Sequence, residues 1–328
     1  MNKLLDMSRY FLGSILLLFI EFNIVYAANI KEYPNRPIRF VSPFAPGGNT
    51  DMVGRMIAPR LSERLGQNVV VENRPGAGGI IGTNSVAKAT PDGHTLLFAS
   101  GAHTSVSATA KKLPYDGLSD FSWVSIVITY PFVVVVKNDS LVKGVPSLID
   151  LAKKNPGKLN YASVGVGSVF HLATELFNSY ANTEMTHIPY KGSAEPLNEL
   201  IAGRIDVMFS TLTGVYSHLQ NNRVRAIAVA SLERSPQLPD VPTIAQYLPG
   251  YEVTSFAGIA APKLTPLNIV TKLNAELNDV LKQSDINRRF SELGGVVHIS
   301  TPDQATQHIA KEISKWKKIV EARKIDVL

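Results

Sequence analysis

Short apolar runs recur along the chain at residues 38–44, 69–72, 95–99, 133–136, 205–209 and 226–230, with amphipathic stretches between most of them. This alternation predicts an α/β fold. Between residues 52 and 65, Val53, Met56, Ile57, Arg60, Leu61 and Arg64 fall at helical spacing, and Gly66 suits the stop that follows. Past Pro262, Pro266 suits a first helical turn and opens a stretch through Val270, Leu273, Leu277 and Leu281. A short strand near 296–299 and a last helix from 302 to about 323, with Ile309, Ile313, Trp316 and Val320 on one face, end the pattern.

A chain of roughly 300 residues tends to divide into two domains. No repeat and no Pro- or Ser-rich linker marks a tandem cut. Two runs, 121–136 with Pro131 inside it and 251–262, read instead as paired crossings between two lobes, which together make a hinge. The C-terminal helices are expected to return to the first lobe.

The first apolar run leads directly into Ala45-Pro46-Gly47-Gly48-Asn49-Thr50-Asp51 and a helix. A helix start carries unsatisfied N–H groups and a partial positive charge, which suits an anion. The same arrangement recurs where 159–162 runs into Ser163-Val164-Gly165-Val166-Gly167-Ser168 and a second helix. Two such starts facing each other would clamp a carboxylate. Asp51, in the first turn, suits bonds to loop N–H groups, and Ser168 suits capping.

The N-terminus changes the picture of location. Lys3 and Arg9 precede an apolar run over 11–20, and Val25-Tyr26-Ala27 offers small residues for cleavage, so 1–27 reads as an export signal. Glu21 and Asn23 interrupt the run short of a membrane span. Loss of Lys3, Arg9, Asp6 and Glu21 leaves the net charge of +6 unchanged. The Lys and Arg residues form no dense patch, which argues against nucleic acid.

Cysteine is absent, which excludes disulfides and thiolate chemistry. The seven histidines show no metal-binding spacing, and no metal or cofactor is expected. Residues 76–82 read G-x-G-x-x-x-G behind Arg74-Pro75, which misses the dinucleotide fingerprint. Ser163 or Ser168 with His171 offers an exported serine hydrolase as the rival reading, but Tyr161 occupies the first glycine of the G-x-S-x-G elbow. Glu175, Glu184 and Glu195 read as surface positions, so no catalytic residue is assigned.

Tyr33-Pro34-Asn35-Arg36-Pro37-Ile38, the block 43–51, and Val69-Val70-Val71-Glu72-Asn73-Arg74-Pro75-Gly76-Ala77-Gly78-Gly79 resemble, in order, the opening lobe of the Bug-type periplasmic solute receptors of tripartite tricarboxylate transporters. Pro91-Asp92-Gly93-His94, Asn155-Pro156-Gly157-Lys158, Pro189-Tyr190-Lys191-Gly192 and Ser235-Pro236-Gln237-Leu238-Pro239-Asp240 extend the similarity over almost the whole chain after residue 27. The resemblance implies a two-lobed periplasmic-binding-protein fold of the flytrap type, with 28–128 and 256–328 in one lobe and 129–255 in the other. It implies a monomeric periplasmic receptor that takes a small organic carboxylate without chemistry and hands it to membrane permease subunits. A carboxylate sensor with no transport role is the alternative.

Carried over residue by residue, the ligand cradle falls on Pro46, Gly47, Gly48, Asp51, Gly78, Gly79, Ser100 and Gly101. The other lobe contributes Ser163, Gly165, Gly167, Ser168, His171 and Lys191. Two departures matter: Met208-Phe209-Ser210-Thr211 stands where the family often has Met-Phe-Asp-Asn, and Ser255-Phe256-Ala257-Gly258 where it often has Ser-Trp-x-Gly. Ser210 then joins the cradle in place of a carboxylate, which disfavours an amino-acid ligand.

Overall fold

The computed structural model describes residues 33–47, 49–190, 194–292 and 294–325. The expected export signal, Gly48 and Lys191 lie outside them. Residues 33–36 carry a cis Tyr33–Pro34 peptide bond. From Pro37 onward, strands and helices alternate, as the apolar pattern predicts.

The first sheet begins with β1 (Ile38–Ser42), β2 (Val69–Asn73) and β3 (Thr95–Ser100), all parallel. Each leads towards a helix: α1 (Asn49–Leu65), α2 (Ile80–Ala87, after a single 3-10 turn at Ala77–Gly79) and α3 (Gly101–Thr109). α1 buries Val53, Ile57, Leu61 and Leu65 on one face, and Gly66 with φ +65° closes it through an N–H to the Ser62 carbonyl at 3.0 Å.

The expected crossing run is one long strand, β4 (Phe121–Lys137). Its first part, to Pro131, pairs antiparallel with β9 (Thr254–Pro262), and β9 in turn pairs with β3. Its last part, from Phe132, pairs with β7 (Val207–Thr211) and β8 (Val224–Val229). Proline has no N–H to donate, so the exchange of partners falls at Pro131, opposite Thr254 where β9 begins. Both crossings therefore lie side by side.

In the second sheet β7 is followed by β5 (Asn160–Ser163) and β6 (Thr186–Pro189), parallel to one another. The elements α4 (Val145–Lys154), α5 (Val169–Ala181), α6 (Ala194–Ile201) and α7 (Leu212–Gln220) connect its strands. Four-residue β6 lies at the sheet edge with a half-exposed polar pattern, and the apolar periodicity does not reveal it.

After β9 come α8 (Leu267–Leu281), α9 (Ser284–Glu292), the two-residue β10 (Val296–Val297) and α10 (Pro302–Arg323). Pro266 is the N-cap of α8 rather than a first-turn residue. The start of α10 is fixed by a capping box, in which Thr301 and Gln304 bond each other's backbone N–H groups.

The C-terminal helices are expected in the first lobe, and α10 reaches the first core but extends beyond it. Ala305 and Ile309 pack with Val41, Leu97, Trp123 and Phe256 in the first core. Fully buried Trp316 and Ile319 pack with Phe132, Tyr161, Phe177 and Tyr251 in the second. One helix thus serves both cores.

Candidate functional site

The carboxyl ends of the parallel strands carry most of the sequence-predicted site residues, which is where α/β sheets place ligands. After β1, Asp51 is almost fully buried and all its bonding capacity is engaged. Its Oδ2 accepts the Gly47 N–H at 3.0 Å, Asn73 Nδ2 donates to Oδ1 at 3.0 Å, and Arg55 Nε lies 3.0 Å from both oxygens. Asn73 Nδ2 also reaches the Phe44 carbonyl at 3.0 Å. Burial opposes the Asp51 charge, but the bonds from Arg55, Gly47 and Asn73 outweigh it and hold the carboxyl below its ordinary value. Asp51 therefore braces the loop. Pro46 and Gly47 stay exposed, with Gly47 at φ +83° and open space where a side chain would be.

The next loop packs onto this one. A methyl on Gly79 would lie 3.2 Å from Phe44 Cζ, and one on Gly78 would lie 3.7 Å from Val106 Cγ2 in α3. The Gly79 N–H is spent on the Gly76 carbonyl at 3.0 Å. After β3, Ser100 is the N-cap of α3, yet its hydroxyl makes no capping bond to the helix. The first-turn amides of Gly101, Ala102 and His103 thus start a helix with no side-chain cap.

The turn after β5 is bonded differently. Ser163 Oγ accepts the Gly165 N–H at 3.0 Å and lies 2.6 Å from His187 Nε2. The Gly167 N–H donates to His171 Nδ1 at 3.1 Å. Ser168 caps α5, its Oγ accepting the His171 N–H at 3.3 Å while donating to the Gly165 carbonyl at 2.7 Å. The amides of Gly165 and Gly167, expected to face a ligand, are already taken. Among the described residues, those of Val169 and Phe170, at the first two positions of α5, have no such acceptor.

Both imidazoles that contact this turn are neutral at pH 7. Burial pushes His187 down to about 3, with His171 beside it adding to the effect, and burial lowers His171 against an opposing pull from Glu175. The two rings stack at 4.0 Å and 7°, and Tyr161 stacks on His187 at 4.9 Å. Tyr161 OH donates to Glu175 at 2.8 Å, and Arg323 from α10 approaches the same carboxylate at 3.4 Å.

The two sets of strand ends meet. A methyl built on Gly101, the first residue of α3, would lie 3.3 Å from Val169 Cγ2, the first residue of α5, and 2.8 Å from Ser255 Oγ. One on Gly167 would lie 2.7 Å from Thr109 Oγ1 at the end of α3. The α5 start therefore packs against α3, near both its first and its last residue, where the sequence pointed to α1. Ser210, buried within β7, sits 3.6 Å from the position of a methyl on Gly214.

Residues 53–325 match the family model described as the tripartite tricarboxylate transporter family receptor. The chain belongs to this receptor family. The UPF0065 protein of the tcbD-tcbE intergenic region in Pseudomonas sp. (strain P51) is 41% identical over 296 residues, 90% of this receptor and 88% of that protein. Rpa4515 of R. palustris, solved with adipate, superposes with a TM-score of 0.84 at 34% identity over 90% of this receptor and 99% of that chain. MatC (Rpa3494) from Rhodopseudomonas palustris, solved with bound malate, gives 0.80 at 35% identity over 88% and 100%. The fold is the two-lobed one of periplasmic binding proteins.

Receptors of this family bind solutes and are not enzymes. Ser163 and His187 stand at the separation of a nucleophile and its base, but Ser163 is fully buried and already bonded on both sides of its turn. The hydrolase reading, which paired these serines with His171, is set aside. Sequence reasoning missed His187, Ser255, Thr109 and Asn73. Ser255 and Asn73 each stood in a segment that carried the resemblance, but neither was given a role.

Proposed function

We propose that this protein is a periplasmic receptor that captures a small organic carboxylate between its lobes and delivers it to the membrane subunits of a tripartite transporter. The observation that carries this reading is the meeting of two helix starts, one from each sheet, at Gly101 and Val169. The α3 start lacks a side-chain cap, and the first two amides of α5 are not taken up by its capping serine. An acid group seated there receives N–H donors and two favourable dipoles without a counter-charge. The adipate and malate held by the related R. palustris proteins are acids of the same class.

Two helix starts supply roughly 0.3–2 kcal/mol each, whereas micromolar affinity needs about 8 kcal/mol. Further N–H bonds and a desolvated cleft must provide the remainder, which requires closure about the β4 and β9 crossings. The lobes divide at 128/129 and 255/256, close to the exchange of sheet partners. On this reading Pro46, Gly47, Gly78, Gly79, Ser100, Gly101, Ser168 and Ser210 line or approach the cleft, while Asp51, Ser163, Gly165, Gly167 and His171 shape its walls. On this reading residues 1–27 are an export signal and the receptor acts as a monomer in the periplasm.

Titration calorimetry against a panel of mono-, di- and tricarboxylates, with small-angle scattering for compaction, tests the reading. Heat and compaction with at least one acid are expected. A broad panel giving neither overturns it.

A further inference from the structure

Residue His187 lies on the edge strand β6, outside the loops that line the strand ends, and no part of the carboxylate reading uses it. Its imidazole nevertheless reaches two separate bonds of the β5–α5 turn. Through Nε2 it meets Ser163 Oγ at 2.6 Å, and that oxygen is the acceptor for the Gly165 N–H. Through its face it stacks at 4.0 Å on His171, whose Nδ1 is the acceptor for the Gly167 N–H. Tyr161, held by Glu175, stacks on the same ring.

Both glycines have backbone angles that only glycine adopts easily, φ +128° at Gly165 and +74° at Gly167. A turn of that kind is soft unless its amides are anchored. With both N–H groups fixed, the chain enters α5 in one direction and the amides of Val169 and Phe170 are held in place. Neutral acceptors do this without placing a negative charge beside an incoming acid.

We propose that His187 is a positioning residue of the carboxylate site, anchoring the Gly165 amide through Ser163 and the Gly167 amide through His171. This rests on the reading that the α5 start receives the acid. His187 touches no ligand itself; it acts through the two residues it orders.

The two routes can be separated by substitution. His187→Phe keeps the ring stack and loses the bond to Ser163, whereas His187→Ala loses both. His187→Gln returns a polar group near the Nε2 position. Amide hydrogen exchange of the ligand-free protein, measured residue by residue with the β5 amides as reference, reads the turn directly. His187→Phe is expected to speed exchange at Gly165 by tenfold or more while sparing Gly167. His187→Ala speeds both, and His187→Gln restores Gly165 towards the wild-type rate.

Calorimetry with adipate, malate and a straight-chain dicarboxylate series follows the same order, with affinity at least tenfold weaker in His187→Phe and partly recovered in His187→Gln. Unchanged Gly165 exchange in His187→Phe overturns the proposal, as does exchange that rises equally at every reference amide. Faster exchange with unaltered affinity also overturns it, because the turn would then not seat the acid. Should the wild-type protein bind no acid at all, the carboxylate reading fails, and His187 with it as a residue of that site.

Discussion

The two lobes brace equivalent strand-to-helix turns by opposite chemistry. The β1–α1 loop is held by an ionised group: Asp51 gathers Gly47, Asn73 and Arg55, and the charge pair is part of the brace. The β5–α5 turn is held by a hydroxyl and two uncharged imidazoles. A charged brace tolerates its charge because Arg55 balances it at the surface; a neutral brace needs no counter-ion and exerts no repulsion on an acid placed against it. The difference assigns separate sensitivities to the two turns, and each can be broken alone.

The largest effect is expected from Asp51→Ala, which leaves the Gly47 N–H without its acceptor and the Asn73 amide with only the Phe44 carbonyl. Hydrogen bonds to a charged group are worth about 1.5–3 kcal/mol each, so the two lost here cost about 3 kcal/mol or more, and the urea midpoint measures it. A wild-type midpoint would show that the loop is held by packing alone.

Next comes Gly167→Ala, where a methyl would sit 2.7 Å from Thr109 Oγ1 at the end of α3 and φ is +74°. Closure is expected to suffer, with carboxylate affinity reduced roughly tenfold, equivalent to about 1.4 kcal/mol. Calorimetry returning the wild-type affinity would place the closing contact elsewhere.

The neutral brace can be probed with acid. An unfolded histidine takes up a proton near 6.5, whereas folded His187 stays neutral down to about 3, so the unfolded chain binds more protons in between. Stability is therefore complete above about pH 6.5 and falls as pH drops towards 3. After allowance for solvent screening, His187 contributes roughly 1 kcal/mol per pH unit to that slope. The neighbouring His171 shares the sign, its shift reduced by the nearby Glu175 carboxylate, and Tyr161 does not titrate in this range. Denaturation of His187→Phe between pH 7 and 4 should show a shallower slope than wild type. Equal slopes would mean that His187 is charged in the folded protein.

The contrast also marks what the sequence makes legible. Strands such as β1 and β3, and the buried stripe of α8, follow from apolar spacing, because each solves a local burial problem. The role of Asp51 as a brace follows from its place in a first helical turn, and its partners in the same loop lie only a few residues away. Its long-range partner Asn73 and the whole of the His187 arrangement depend on which strands pair. Ser163 and His187 are brought together by the β5–β6 register, in which Ser163 stands opposite Pro189 and Tyr161 opposite His187. Nothing within either segment announces it. Likewise, glycine at 165 and 167 predicts unusual backbone angles, yet the consumption of their amides appears only when the acceptors are in place.

The double allegiance of α10 carries a consequence for how the molecule is made. Residues near 132 begin a core that Trp316 and Ile319 complete, so part of the second sheet's cover comes from the last helix to be synthesised. Until then, that half of the nascent chain keeps an apolar face uncovered. The same helix that joins the halves thus makes burial of that face depend on residues far along the chain from the strands they cover.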